Sequence, residues 1–260
     1  MAEHALNDVL RVVAFAGSLR RGSFNRALLE AARQLALGRM TISPIEIGEL
    51  PFYNADVEAE GDPAAVVEFK AAIRAADGVI IATPEYNDGI PGVLTTAIDW
   101  GSRPPGIAPL TGKPVALMRA SPSQIGTARA QLHLRQLLGH VHARTLPPPE
   151  LLVAAAHERF DAELRLTHEG TRRVLSALLD RFVHWIDRER PLMPQSARAP
   201  CRHQRSVKRR PDERLPYSAN TWCTVAIAIE PSPTAEATRF VLPLRTSPTA
   251  STPGMLVSSR

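Results

Sequence analysis

No cysteine precedes Cys201, and only Cys223 follows it in a chain of 260 residues. A disulfide framework or a cysteine-based metal site is therefore excluded for the main body. Long apolar runs are also missing, since none approaches the roughly 18 to 20 residues that a membrane-spanning helix needs. Polar residues Glu3, His4, Asn7 and Asp8 occupy the stretch where a secretory signal would be apolar. The expected location is a reducing cytoplasm, with no membrane partner. An excess of positive charge is absent from most of the chain as well. The net charge of +5 and the isoelectric point near 9.7 would ordinarily invite a polyanion-binding reading. Yet residues 1–190 hold 21 basic and 22 acidic residues, whereas residues 191–260 hold 10 basic and 4 acidic. The basicity belongs to the last quarter, which also carries 10 of the 23 prolines.

What is present is a repeated strand-then-helix pattern. Residues 9–16 are mostly apolar and stop at Gly17, as a strand buried on both faces of a parallel sheet does. A polar loop over 17–26 leads to a helix over 27–36. A second strand is expected over 40–47, then a helix begun by Asp62 as N-cap with Pro63 at its first position. Gly78 to Ala82 reads as a third strand, and a helix through Leu94, Ile98 and Trp100 follows the loop at 83–92. A fourth strand is expected over 113–118 and its helix over 128–138. The fifth strand is expected over 141–146, with 151–153 as a further piece, and a last helix runs over 171–188 with Leu175, Leu178, Leu179, Phe182 and Ile186 on one face. Five strands alternating with five helices predict an α/β, doubly wound parallel sheet in the order 2-1-3-4-5. The domain should close near residue 190. Residues 191–260 are expected to be a basic, proline-rich and largely disordered tail, and its Lys208-Arg209-Arg210 run reads as a solvated segment rather than a nucleic-acid contact.

In such a sheet ligands bind beyond the carboxyl ends of strands 1 and 3, where strand order reverses. The loop after strand 1 carries Ser18, Arg20, Ser23 and Asn25 ahead of a helix N-terminus. Hydroxyls, an amide, a guanidinium and free backbone N–H groups are the parts needed to hold a phosphate. The Lys of a nucleotide-triphosphate loop is missing after Gly22, and so is the three-glycine dinucleotide fingerprint. A mononucleotide such as FMN fits what remains. The loop after strand 3, Thr83-Pro84-Glu85-Tyr86-Asn87-Asp88-Gly89-Ile90-Pro91-Gly92, is stiffened by two prolines and two glycines and offers a path along a flat heterocycle. His133, His140 and His142 have no partner cluster at metal-ligand spacing, so no metal is expected.

Gly17-Ser18-Leu19-Arg20-Arg21-Gly22-Ser23-Phe24-Asn25, Thr83-Pro84-Glu85-Tyr86-Asn87 and Ala97-Ile98-Asp99-Trp100 together resemble the NADPH-dependent FMN reductase family of flavodoxin-like proteins, in its chromate and quinone reductase branch. The resemblance runs from about residue 9 to residue 189. It implies that Ser18, Arg20, Ser23, Phe24 and Asn25 hold the FMN phosphate, that Pro84, Glu85, Tyr86 and Asn87 line the isoalloxazine and ribityl region, and that Ser121 completes the site. This chain departs from the family's usual residues at Ile125-Gly126-Thr127, Thr95-Thr96 and Leu132, positions that bear on acceptor preference and subunit contacts. The implied activity is transfer of hydride from NAD(P)H through FMN to a quinone, azo, chromate-type or free flavin acceptor, in a homodimer or homotetramer. Because a flavin performs hydride chemistry itself, no catalytic acid or base is nominated. The alternative from another class is a non-catalytic flavin-binding electron carrier.

Overall fold

The computed structural model describes residues 9–123 and 128–192, so the expectations for Ile125-Gly126-Thr127 and for the tail beyond Leu192 lie outside the described residues. The elements in chain order are β1 (Leu10–Ala16), α1 (Phe24–Leu35), β2 (Met40–Pro44), α2 (Ala55–Glu60), α3 (Ala64–Ala75), β3 (Gly78–Ala82), α4 (Gly92–Gly101), β4 (Pro114–Ala120), α5 (Ala128–His140), β5 (Arg144–Thr145), β6 (Leu151–Val153) and α6 (Glu169–Glu189). The apolar runs that marked β1, β3 and β4 are sheet-forming because both faces are covered. Val79, Ile80, Ile81 and Ala82 of β3 have no solvent exposure. Fully burying one such branched side chain contributes about 1.5–3 kcal/mol.

All pairings are parallel and the order is β2-β1-β3-β4-β5, as the alternation of strands and helices predicts. Register places Val12 beside Gly78 and Ala16 beside Ala82, and Ala82 in turn beside Met118. The carboxyl ends of β1, β3 and β4 therefore open onto one rim. One core forms against α1 and α6, with Leu28, Ile80, Met118, Leu179 and Phe182 at its centre. The other forms under α3, α4 and α5 around Phe15, Ile81, Leu94, Trp100 and Leu134. Gly78 must be glycine for α6 to lie this close, because an added Cβ would meet Phe182 Cζ at 2.8 Å and Ile186 Cδ1 at 2.9 Å.

Four details differ from the expected pattern. The first helix starts at Phe24 rather than Ala27, because the Ser23 hydroxyl caps it by accepting from Arg26 N. Asp62 does not cap α3, whose N-cap is Pro63; its carboxylate instead holds the buried Lys70 ammonium at 2.8 and 2.9 Å. An ion pair with a charge that would otherwise be buried alone outweighs an N-cap bond. The fifth strand is split, with β5 pairing the start of β4 and β6 its end. Pro147, Pro148 and Pro149 lie between the pieces and have no N–H to give the ladder. Their three carbonyls accept instead from the Arg181 guanidinium of α6, at 2.6–3.0 Å. The short helix α2, capped by the Asn54 side chain, has no buried residue and so left no apolar signal.

Candidate functional site

The loop leaving β1 turns at once toward β3. Gly17 N donates to the Ala82 carbonyl at 2.8 Å, and a Cβ on Gly17 would sit 3.0 Å from Thr83 Oγ1 and 3.2 Å from Leu94 Cδ2. A side chain here would require Thr83 or Leu94 to give by a few tenths of an ångström. Ser18 and Ser23 are buried, and Arg20 and Arg21 extend into solvent. Ser18 Oγ accepts from Arg20 N at 3.4 Å and lies 3.5 Å from the Tyr86 hydroxyl of the second loop. The Ser23 hydroxyl thus stands at the N-terminus of α1, where the helix dipole and N–H groups favour an anion, while the Ser18 hydroxyl of the same loop faces Tyr86.

Asn25 and Phe24 serve this loop differently from what the sequence implied. Both ends of the Asn25 amide are taken by the backbone of Ala120, Nδ2 donating to its carbonyl and Oδ1 accepting from its N–H, each at 2.9 Å. Asn25 is buried and fastens the start of α1 to the end of β4. The Phe24 ring packs against Phe160 with centroids 5.5 Å apart, on the α6 side of the sheet.

The second loop is anchored at its root and rigid at its tip. Thr83 N donates to the Met118 carbonyl and Thr83 Oγ1 to the Pro84 carbonyl. Tyr86 and Gly89 exchange two backbone hydrogen bonds of 3.0 Å across Asn87 and Asp88, which take φ of 50° and 61°. Two consecutive left-handed residues make a tight turn of the type that Asn and Asp tolerate best. Asp88 pairs with Arg129, which accounts for that arginine, while Arg103 stacks over the Tyr53 ring at 5.1 Å. The Glu85 carboxylate is turned away from the tip and accepts from Ala130 N in the first turn of α5 at 2.9 Å. Tyr86 is about half exposed and, with Gly17, Leu19, Arg20, Pro91, Gly92 and Val93, lines a cleft of about 410 Å³ between the loops.

Ser121 follows β4 directly. Its N–H donates to the Val153 carbonyl, its own carbonyl accepts from Ala156 N, and its hydroxyl accepts from Ser123 N at 3.1 Å. The structure therefore brings Ser18, Arg20, Ser23, Pro84, Tyr86, Asn87 and Ser121 to one rim, with Asn25 and Glu85 holding the loops that carry them. Among the described residues no three His, Cys, Asp or Glu side chains gather to hold a metal, and no helix is long and apolar enough to cross a membrane.

A profile described as NADPH-dependent FMN reductase matches residues 10–158. The chain belongs to the NADPH-dependent FMN reductase family. It is 44% identical over 185 residues to a NAD(P)H-dependent FMN reductase of Pseudomonas aeruginosa, covering 71% of this chain and all of that one. A quinone reductase of Pseudomonas putida is 39% identical over 181 residues, 70% of this chain and 97% of that one. Among solved structures, the flavoenzyme NAD(P)H:(acceptor) oxidoreductase FerB from Paracoccus denitrificans superposes with a TM-score of 0.65 at 38% identity, covering 70% of this chain and 99% of that one. Within this FMN reductase family member, sequence reasoning quoted Thr83 in the loop motif without a role of its own and did not single out Ala120, whose contact with Asn25 runs through its backbone atoms and carries no side-chain signal.

Proposed function

We propose that this chain is an FMN-dependent NAD(P)H oxidoreductase that passes electrons from NAD(P)H through bound FMN to a small-molecule acceptor of the quinone class. The observation that carries this reading is the convergence of two loops at the reversal of strand order. The buried Ser18 and Ser23 hydroxyls and the N-terminus of α1 lie on one side, and the rigid Tyr86–Gly89 turn lies on the other. FMN fits this donor set. Its phosphate suits the hydroxyls and helix N-terminus, with Arg20 at the solvent edge, and its flat ring suits the cleft beside Tyr86 and Pro91. When bound, FMN supplies the hydride chemistry. The chain's own residues bind and orient it. Ser18 and Ser23 would hold the phosphate end, Gly17 allows close approach of the two loops, and Asn25 and Glu85 keep the loops after β1 and β3 tied to β4 and α5. Pro84, Tyr86, Asn87 and Ser121 would hold the ring end.

Relatives named as quinone reductases support a quinone acceptor. The same reading includes a homodimer or homotetramer in the cytoplasm, for which the exposed Phe52 and Leu132 are available apolar contacts. It also divides the chain into a reductase body over 1–190 and an appended basic segment over 191–260. The test is steady-state oxidation of NADPH and NADH by FMN-loaded protein with and without benzoquinone. Quinone-stimulated turnover is expected, and it should persist when residues 191–260 are deleted. Protein that holds FMN but shows no stimulation is an electron carrier, and the proposal fails.

A further inference from the structure

We propose that Arg119 is an electrostatic tuning residue for this site, a buried guanidinium at the carboxyl end of β4 whose fixed positive charge favours reduced over oxidised FMN. The inference rests on the FMN reading above and goes beyond it by assigning a residue that sets the equilibrium of the bound cofactor.

The position of Arg119 is what gives its charge leverage. Met118 pairs with Ala82, and its carbonyl accepts from Thr83 N at 3.2 Å, so Arg119 stands level with the root of the second loop. The next residue, Ala120, is held on both backbone atoms by Asn25, and Ser121 follows. Arg119 thus sits in the strand that both site loops are bonded to. By alternation along β4 it follows Val115 and Leu117, which belong to the core under α3, α4 and α5.

Its surroundings do not neutralise it by contact. Arg119 is 4% exposed, and its Nε and Nη1 atoms have no hydrogen-bond partner. Burial pushes its pKa down, and the carboxylates Glu150 and Glu85 push it back up. A guanidinium's ordinary pKa is so high that it stays charged. Glu150 is already paired with Arg135, and Glu85 accepts from Ala130 N. Beside Ala130, Gln131 in the first turn of α5 is also buried with both amide atoms unpartnered. A charge desolvated in this way is a heavy cost that an apolar residue in the run Val115 to Ala120 would avoid, and such costs are concentrated at functional sites. Its field is weakly screened because little water lies around it. Hydride carries two electrons and one proton, so its transfer from NAD(P)H gives NAD(P)⁺ and adds one negative charge to the flavin. A fixed cation in the strand to which both loops are bonded would stabilise that product relative to the oxidised cofactor.

The test is the pair of dissociation constants for oxidised FMN and for dithionite-reduced FMN, measured anaerobically on the parent chain, Arg119→Met and Arg119→Lys. In Arg119→Met the preference for reduced over oxidised FMN should fall about tenfold, equivalent to a two-electron midpoint potential lower by about 30 mV. Arg119→Lys should stay within about threefold of the parent. Equal weakening of both constants, leaving their ratio unchanged, marks a purely structural role and overturns the proposal. If Arg119→Met does not fold, Arg119→Gln must lower the ratio in the same direction, and an unchanged or raised ratio overturns the proposal. A parent chain that binds no oxidised FMN refutes the functional reading itself, an outcome separate from either ratio.

Discussion

Replacing Asn25 by Asp changes one atom at the joint between the two halves of the site, and its consequence can be worked from two distances. In the native chain Nδ2 donates to the Ala120 carbonyl and Oδ1 accepts from Ala120 N, both at 2.9 Å and both buried. A carboxylate keeps the second bond but sets an oxygen against the carbonyl oxygen at the first. Restoring that bond requires a proton on the carboxyl group, so burial and the facing carbonyl both raise its pKa above the unfolded value of about 3.9. The folded state then holds more protons than the unfolded one between these two pKa values, and stability falls as pH rises through that window. An elevation of two pH units costs about 2.7 kcal/mol once the group is ionised. Asn25→Asp should therefore be about 3 kcal/mol less stable than the parent at pH 8, with a visibly smaller deficit at pH 5. Asn25→Ala orphans two buried backbone groups at about 1–3 kcal/mol each, with no such pH dependence. Urea denaturation of all three proteins at both pH values measures this. Parent-like stability of Asn25→Asp at pH 8, or a deficit equal at the two pH values, would refute the reasoning.

Other expectations follow from the same geometry. On the proposed FMN reading, Ser18→Ala removes a buried hydroxyl from the loop before α1 and should weaken FMN binding about 10- to 100-fold by fluorescence titration, since hydrogen bonds to charged groups are worth about 1.5–3 kcal/mol. Tyr86→Phe loses only a 3.5 Å contact and should change the affinity less than about threefold. Gly17→Ala places a methyl group 3.0 Å from Thr83 Oγ1 and should cost about 1–3 kcal/mol of stability in denaturant titrations while weakening FMN binding. Lys113 has no solvent exposure and donates to the Ala76 carbonyl at 2.7 Å, and burial pushes its pKa down to about 7. The folded state then binds fewer protons than the unfolded one from pH 7 to about 10, so this lysine's penalty shrinks as pH rises through that range. Lys113→Met should be more stabilised relative to the parent at pH 7 than at pH 10, by roughly 2 kcal/mol or more; a constant difference in urea midpoints would count against it.

The strands and their order were legible because β1, β3 and β4 are buried on both faces and so read as apolar runs, unbroken in β3 and interrupted by one arginine each in β1 and β4. The loop after β1 stood out for a similar local reason, its Ser and Gly residues lying between a strand and a helix. What sequence could not supply were pairings set by distant backbone. Asn25 looks like a phosphate ligand by its neighbours, but its partner is Ala120, 95 residues away. Glu85 looks like a flavin-lining residue, but its carboxylate caps α5 through Ala130, 45 residues on. Asp62 satisfies every local rule for an N-cap and loses that role to Lys70, whose burial is decided by tertiary packing. The break in the fifth strand was readable in Pro147-Pro148-Pro149, since three residues without N–H groups cannot serve a ladder.

The central claim is that the two loops at the end of β1 and β3 bind FMN and present it to NAD(P)H and a quinone. It is tested most directly by the absorption spectrum of FMN-loaded protein, freed of excess flavin and kept anaerobic, during sequential addition of NADPH and benzoquinone. The oxidised-flavin band should bleach on NADPH addition and return in full with quinone. Protein that retains no flavin, or whose flavin band does not respond to NADPH or NADH, would contradict the account.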